Sequence, residues 1–304
     1  SLSEHFLNGF PVYEKSLIEK IYSKLGDPDV EVRREVSTLI PRLVSPMMRG
    51  GVERVMVNGR MVYQAVPASL RPDLLALTQR AFLDEDAIVR QNIVKYHMYL
   101  RVPLSPLTME KLLQDSDRGV LLAALDRISM NASQPRVISE IERLSSHEDR
   151  GIRLKIVDVA RDCNRYDSRY RSILRSMTED KDAEVTSMAA VELARFGEKI
   201  NSAVIERIKN YLLSSKGMSS QVTTILYAVS AMGADGIQVY KALTEHGSSR
   251  MRTVAWQRFL SLSNGWNNPQ DWTAALKDRD QGVRNAVVNT LRGRISPINK
   301  KTMG

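Results

Sequence analysis

The sequence predicts an all-helical α-α superhelix of about eight helical hairpins, with one inserted β-hairpin near the N-terminus. Three observations predict it: a phrase that recurs roughly every 32 residues, an apolar stripe of helical spacing after each copy, and one interruption where the spacing turns strand-like. Composition agrees. Aromatics are only 6% of 304 residues, and Leu, Ile, Val, Met and Ala carry the apolar content, which suits helix-on-helix packing better than a β-sandwich.

The recurring phrase is an Asp, a second Asp or Ser two positions on, then a β-branched or aliphatic residue followed by Arg. It is clearest in GDPDVEVRREV from Gly26, DEDAIVRQNIV from Asp84, HEDRGIRLKIV from His147 and DRDQGVRNAVV from Asp278. Weaker copies begin at Asp115, Asp180, Ser219 and Gly247. The aliphatic anchors are Val32, Val89, Val120, Ile152, Val185, Val222, Met251 and Val283, separated by 57, 31, 32, 33, 37, 29 and 32 residues. One long step among near-equal ones is what stacked hairpins with a single insertion produce.

Within each unit the second aspartate (Asp29, Asp86, Asp117, Asp149, Asp182 or Asp280) stands where it can N-cap the second helix. Apolar residues follow at the anchor and one and two turns on, as in Ile152, Ile156 and Val159, making a stripe that one hairpin cannot bury by itself. First helices are expected at about 12–25, 69–83, 105–113, 135–144, 168–177, 203–213, 236–244 and 269–276, joined by short connections rich in Gly, Asn, Pro and Asp.

From about Tyr13 to Arg292 these residues resemble HEAT repeats, in particular the short bacterial-type variety whose second helix opens with Asp and then Val-Arg. The resemblance implies a HEAT-like solenoid in which the first aspartate of one unit and the Arg of its neighbour pair as an internal ladder. Arg33, Arg90, Arg153, Arg252 and Arg284 match that pattern, as do Asp27, Asp84, Asp115, Asp180 and Asp278. Leu121, Thr186 and Thr223 break the arginine column; His147, Gly217 and His246 break the aspartate column. The sixth unit keeps neither signature, so loosening is expected there. The motif specifies a fold and leaves the ligand open.

The interruption, VERVMVNGRMVYQAV at 52–66, reads as a β-hairpin turning at Asn58-Gly59. Both its faces are largely apolar, so the expectation is that it covers the N-terminal helices, meets a partner or self-associates. Its candidate contacts are Val55, Met56, Val57, Arg60, Met61, Val62 and Tyr63; a nucleic-acid probe using Arg49, Arg54 and Arg60 is the remaining alternative. The expected domain plan is one solenoid over 1–304, carrying this insertion and a basic tail at 296–304.

No dinucleotide, phosphate-loop, nucleophile-elbow, zinc-protease or paired-cysteine motif occurs, and the carboxylates fall mostly at cap or ladder positions. No catalytic residue, cofactor or metal is therefore assigned. His147 and His246 stand in the aspartate column, where local hydrogen bonding is expected. The lone Cys163 excludes an internal disulfide and reads as a small buried hydrophobe. No apolar run approaches the ~20 residues of a membrane span, so the chain reads as soluble with the cytoplasm favoured. The initial Ser leaves N-terminal processing open.

Lys and Arg exceed the acids by 44 to 35, an electrostatic invitation to nucleic acid, anionic lipid or an acidic protein. The most suggestive polar segment concentrates Arg161, Arg165, Arg169, Arg171 and Arg175 with Tyr166 and Tyr170 around one inter-helix loop; it reads as a phosphate or acidic-peptide grip, or as a solvated loop paired by Asp162, Asp167 and nearby acids. Trp256, Trp266 and Trp272 read as closure of the C-terminal core or as hot spots. Opposite the core stripe, Lys95, Asp126, Asp158, Gln257 and Asn289 are the candidate contacts of the second helices.

The leading expectation is a non-catalytic adaptor or scaffold binding a protein or peptide partner. The alternative is a nucleic-acid-binding chain resembling in class the HEAT-like alkylpurine DNA glycosylases, although no catalytic Asp with flanking aromatics can be matched. A third reading, similarity to the phycobilin lyase HEAT family, rests on repeat type alone.

Overall fold

The computed structural model describes residues 15–48, 52–57, 60–65, 72–100, 103–263 and 265–295. They divide into two compact units, Ser1–Arg143 and Leu144–Gly304. The tail at 296–304 lies outside the described residues.

The first unit holds α1 (Lys15–Ser23), α2 (Val30–Met48), α3 (Pro72–Ala81), α4 (Ala87–Leu100), α5 (Pro106–Leu113), α6 (Arg118–Leu125) and nearly all of α7 (Pro135–Leu144). Second helices stack on second helices, α2 on α4 and α4 on α6, while α1 lies against α3. In the second unit, α8 (Arg150–Cys163), α10 (Ala183–Arg195) and α12 (Ser220–Ala228) form one such stack, and α14 (Ser249–Leu262) and α16 (Gln281–Ile295) another. Their first-helix partners are α9 (Arg169–Met177), α11 (Ser202–Ser214), α13 (Ala234–Leu243) and α15 (Pro269–Leu276).

The inserted β-hairpin is the part of the expected fold class that requires correction. Val52–Val57 (β1) and Arg60–Ala65 (β2) pair antiparallel, Val57 opposite Arg60 and Val52 opposite Ala65, but they form a two-stranded sheet with each other alone. Such a ladder is marginal by itself and adds no layer to a helical stack. Among the described residues the core is built from helices and their short turns, so the fold class is an all-helical repeat, and the two paired strands form no layer of it. Nothing in it supports self-association through this segment. The proposed turn, Asn58-Gly59, lies outside the described residues, as do the side chains of Val55, Met56, Val57, Arg60, Met61, Val62 and Tyr63.

Helix starts follow from the second-aspartate column. Asp149 Oδ1 accepts from the amides of Gly151 (2.6 Å) and Ile152 (3.1 Å), and Asp182 Oδ1 from Glu184 and Val185. Asp29, Asp86, Asp117 and Asp280 do the same for their helices. Each carboxylate satisfies amides that the helix cannot, at the positive end of its dipole. Asp149→Ala should cost about 1 kcal/mol, and Asp149→Ser most of that less; equal losses in urea unfolding would show that the cap is not what the carboxylate supplies.

Anchors Val89, Val120, Ile152, Val185, Val222, Met251 and Val283 are all buried, each apolar side chain stabilising the stack by about 1.5–3 kcal/mol. α10 is the extreme case. It is buried from Val185 through Ala194, including Thr186, Ser187 and Glu192, because α8, α9, α11 and α12 surround it. Its polar groups are satisfied locally: Ser187 Oγ donates to the Ala183 carbonyl and Arg195 pairs with Glu192.

Candidate binding surface

In each unit guanidinium-carboxylate rungs lie where first helices turn into second helices. Arg33 Nε and Nη2 donate to the two oxygens of Asp84, Arg90 to those of Asp115, Arg153 to those of Asp180 and Arg252 to those of Asp278, all between 2.6 and 3.2 Å. The third nitrogen, Nη1, turns back to two carbonyls of its own loop, such as His147 and Glu148 for Arg153. One arginine thus fixes its own turn and the next repeat together, using the planar fork that lysine lacks.

The two histidines of this column keep half of the arrangement. His147 Nδ1 accepts from the Asp149 amide and His246 Nδ1 from the Ser248 amide, each at 3.0 Å, as ladder aspartates do for the residue two positions on. With Nδ1 accepting, the His246 proton sits on Nε2, which donates to the Ser215 carbonyl at 3.1 Å. The Thr186 hydroxyl donates to the Asp180 carbonyl, six residues back, the position that Arg153 Nη1 serves in its own repeat.

The arginine-rich segment is dispersed by the fold. Arg161 pairs with Asp158 and Asp162, Arg169 with Asp167, and Arg175 with Glu198, while Arg171 lies over the Phe196 ring, 5.2 Å from its centroid. Tyr170 is fully buried in the core, and burial pushes its hydroxyl pKa well above the usual phenol range. Arg165 and Tyr166 are exposed, the guanidinium stacked over the ring at 4.8 Å. Asp167 is held down to about 2, first by the side-chain hydrogen bond from Arg169 and then by that residue's amide. Cys163 is buried, its thiol pushed up to about 11 by that burial.

On the second helices Lys95 and Asn289 are exposed, as is Asp126 at the C-cap just past α6, whereas Asp158 and Gln257 are half-buried. Asp158 is taken up by Arg161, and Gln257 Nε2 donates to Thr290 Oγ1 across α14 and α16. Trp256 is buried and donates from Nε1 to Asp278, so it belongs to the C-terminal core. Among the described residues no group of three or more His, Cys, Asp and Glu side chains is arranged to hold a metal, and no helix is long and apolar enough to cross a membrane.

No family description matches the sequence, and no curated protein is similar to it. Solved structures do match in shape. Importin beta aligns over 95% of this chain and 41% of its own, at 9% identity and a TM-score of 0.56. The complex of CpcE and CpcF of phycocyanin lyase from Nostoc sp. PCC7120 aligns over 95% and 97% at 12% identity, with a TM-score of 0.42. The fold is HEAT-like.

In this HEAT-like chain the two columns are lost together, a regularity that column-by-column reading misses. Every repeat without its arginine, at Leu121, Thr186 and Thr223, precedes a repeat without its first aspartate, at His147, Gly217 and His246. A half-buried carboxylate with no incoming guanidinium is costly; histidine retains the acceptor for the loop amide without the charge.

The HEAT-like ladder also sets the response to acid. Asp278 is held below the ordinary carboxylate range: burial opposes this, but the hydrogen bond from Arg252, the Asp280 amide and the Arg252 charge outweigh it. Asp86 is lowered chiefly by its hydrogen bond from Arg34. Carboxylates lowered in the folded state contribute stability that is complete above the unfolded value of about 3.9 and is lost as pH falls below it. Urea midpoints should therefore be level near neutrality and fall from about pH 4 downward; a midpoint unchanged to about pH 2 would mean that the aspartates are equally low in the unfolded chain.

Proposed function

We propose that this chain is a non-catalytic scaffold that binds a protein or peptide partner through the exposed surface of its second helices. The observation that carries this reading is the use made of the ionisable side chains. Caps and ladder commit most aspartates and many arginines to holding the helix turns of each unit rigid, while outward residues differ from repeat to repeat, such as Lys95, Asn289 and, just past α6, Asp126. Rigid turns with variable outward positions suit recognition, because little side-chain and backbone freedom is left to lose on binding. Likeness to importin beta supports the fold and leaves the partner open.

The experiment is cross-linking capture with the full chain, repeated with Lys95→Glu, Asp126→Lys and Asn289→Ala combined. The scaffold reading expects a protein captured by the parent chain and lost or weakened in the variant. A second reading, nucleic-acid binding, is favoured by the exposed Arg165-Tyr166 stack, which combines a cation with a face for a base. Fluorescence anisotropy of labelled single- and double-stranded DNA over a salt series decides between them. Tight binding with a steep salt slope, lost in Arg165→Glu, would replace the scaffold reading with this one.

A further inference from the structure

The seam between α12 and α14 differs from every other junction of second helices in the C-terminal unit. α8 packs on α10, α10 on α12 and α14 on α16 along their backbones, whereas α12 and α14 have no comparable backbone packing among the described residues and meet through side chains, Arg258 over Tyr227. The ladder rung is missing there too, Thr223 and His246 standing in place of Arg and Asp. Behind the seam the repeats remain joined, since α11 packs on α13 and His246 Nε2 reaches the Ser215 carbonyl. The weaker backbone packing is therefore confined to the second-helix side.

Two features of the seam point to an occupant. It carries exposed apolar and aromatic side chains where water would be expected to select polar residues: Tyr227 on α12 is 43% exposed, and Leu262, about one turn beyond Arg258 on α14, is 39% exposed. Its charge has one sign. α12, α14 and α16 contain no Asp or Glu, while α14 alone supplies Arg250, Arg252 and Arg258. Arg252 is spent on Asp278. The Arg258 guanidinium instead lies over the Tyr227 ring, 5.0 Å from its centroid, with no carboxylate of the described residues in an ion pair with it, and Arg250 is exposed at the start of the same helix.

We propose that this seam is a docking groove for an acidic segment of a partner protein, with carboxylates meeting Arg250 and Arg258 and an apolar side chain seated against Tyr227 and Leu262. The inference rests on the scaffold reading and specifies where and what that scaffold binds. Arg258 stacked on Tyr227 is held with its edge donors available, so a carboxylate gains a fork of hydrogen bonds without ordering a mobile side chain. Leu262 and the Tyr227 ring supply the desolvated anchor that a purely electrostatic contact lacks. A nucleic acid would use the arginines but gain little from Leu262, which is why the acidic protein segment is favoured.

The test uses the full chain and a fluorescein-labelled short peptide of glutamates with one leucine per turn, beside its lysine counterpart and a labelled single-stranded oligonucleotide. The glutamate peptide should bind and the lysine peptide should not. Arg250→Glu with Arg258→Glu should weaken binding by about tenfold or more, whereas Arg165→Glu, on a different loop, should change it by less than about twofold. A second variant, Thr223→Arg with His246→Asp, restores the rung; it should raise Tm and weaken the peptide by drawing α12 and α14 together. Peptide binding unchanged in both double variants overturns the groove, and so does an oligonucleotide bound more tightly than the peptide and lost in Arg258→Glu. A protein captured equally by the parent and the Arg250→Glu, Arg258→Glu chain overturns the groove while leaving the scaffold standing. Capture of no protein together with no peptide binding removes both.

Discussion

Asp278→Ala should destabilise the chain by about 3–5 kcal/mol, the largest loss expected of any single ladder substitution. Asp278 accepts from Arg252 Nε at 2.9 Å and Nη2 at 3.0 Å, from Trp256 Nε1 at 3.3 Å and from the Asp280 amide at 2.9 Å. Both side chains of the ion pair are only 4% exposed. Alanine leaves the guanidinium buried without its counter-charge, strips an indole donor of its acceptor and removes the brace of the last turn before α16. The cost arises from what stays behind rather than from the strength of the pair. It follows that Asp278→Ala combined with Arg252→Met should be less destabilised than Asp278→Ala alone. Equilibrium urea unfolding of the two single variants and the double variant measures this; additive losses would show that the two side chains act independently.

Arg175→Ala offers the contrast within the same unit. Its bidentate pair with Glu198 is well formed, at 2.7 and 2.8 Å, yet the arginine is more than half exposed, so water replaces what is lost and the urea midpoint should barely move. Good geometry without burial does not make a strong rung.

Much of the helical architecture was legible because its determinants are local and repeated. The second aspartates mark helix starts by chemistry that needs only the next three residues, and Pro135 and Pro269 open α7 and α15 where the sequence places them. The Asn58-Gly59 signal is local as well, and for that reason misleads about architecture: it speaks for a tight turn but not for a sheet that the fold would incorporate. The arginine segment fails differently. Whether Arg171 and Arg175 are available depends on Phe196 and Glu198, which the sequence places more than 20 residues away and only the packing of α9 beside α10 brings near. Tyr170 falls on the buried side of α9, a matter of helix phase that arginine density obscures. The α12-α14 seam was half visible, since the loss of Arg at Thr223 and of Asp at His246 marks the junction, but nothing in that loss announces that Tyr227 and Arg258 meet across it.

Gly236→Ala should also destabilise, by about 2–3 kcal/mol, although the same exchange in an exposed helix would stabilise by about 1. Gly236 is buried in the first turn of α13, where an added Cβ would stand 2.2 Å from the Val229 carbonyl oxygen and 3.2 Å from its carbon. Those are backbone atoms of the 3-10 turn Val229–Met232, which cannot rotate away as a side chain could. The close approach lets the Tyr240 hydroxyl reach the Leu226 carbonyl at 2.5 Å, so α13 is tied to the end of α12 by a contact only glycine permits. Moving α13 outward to admit a methyl group would loosen that tie and the packing of α13 on α14 together. The variant should therefore lose stability and, because α13 backs the seam, lose affinity for an acidic peptide even though it touches neither Tyr227 nor Arg258. Unchanged urea midpoints would show that the turn at Val229 yields at little cost. Lost stability with undiminished peptide binding would show that the groove is set by α12 and α14 themselves, independent of the helix behind them.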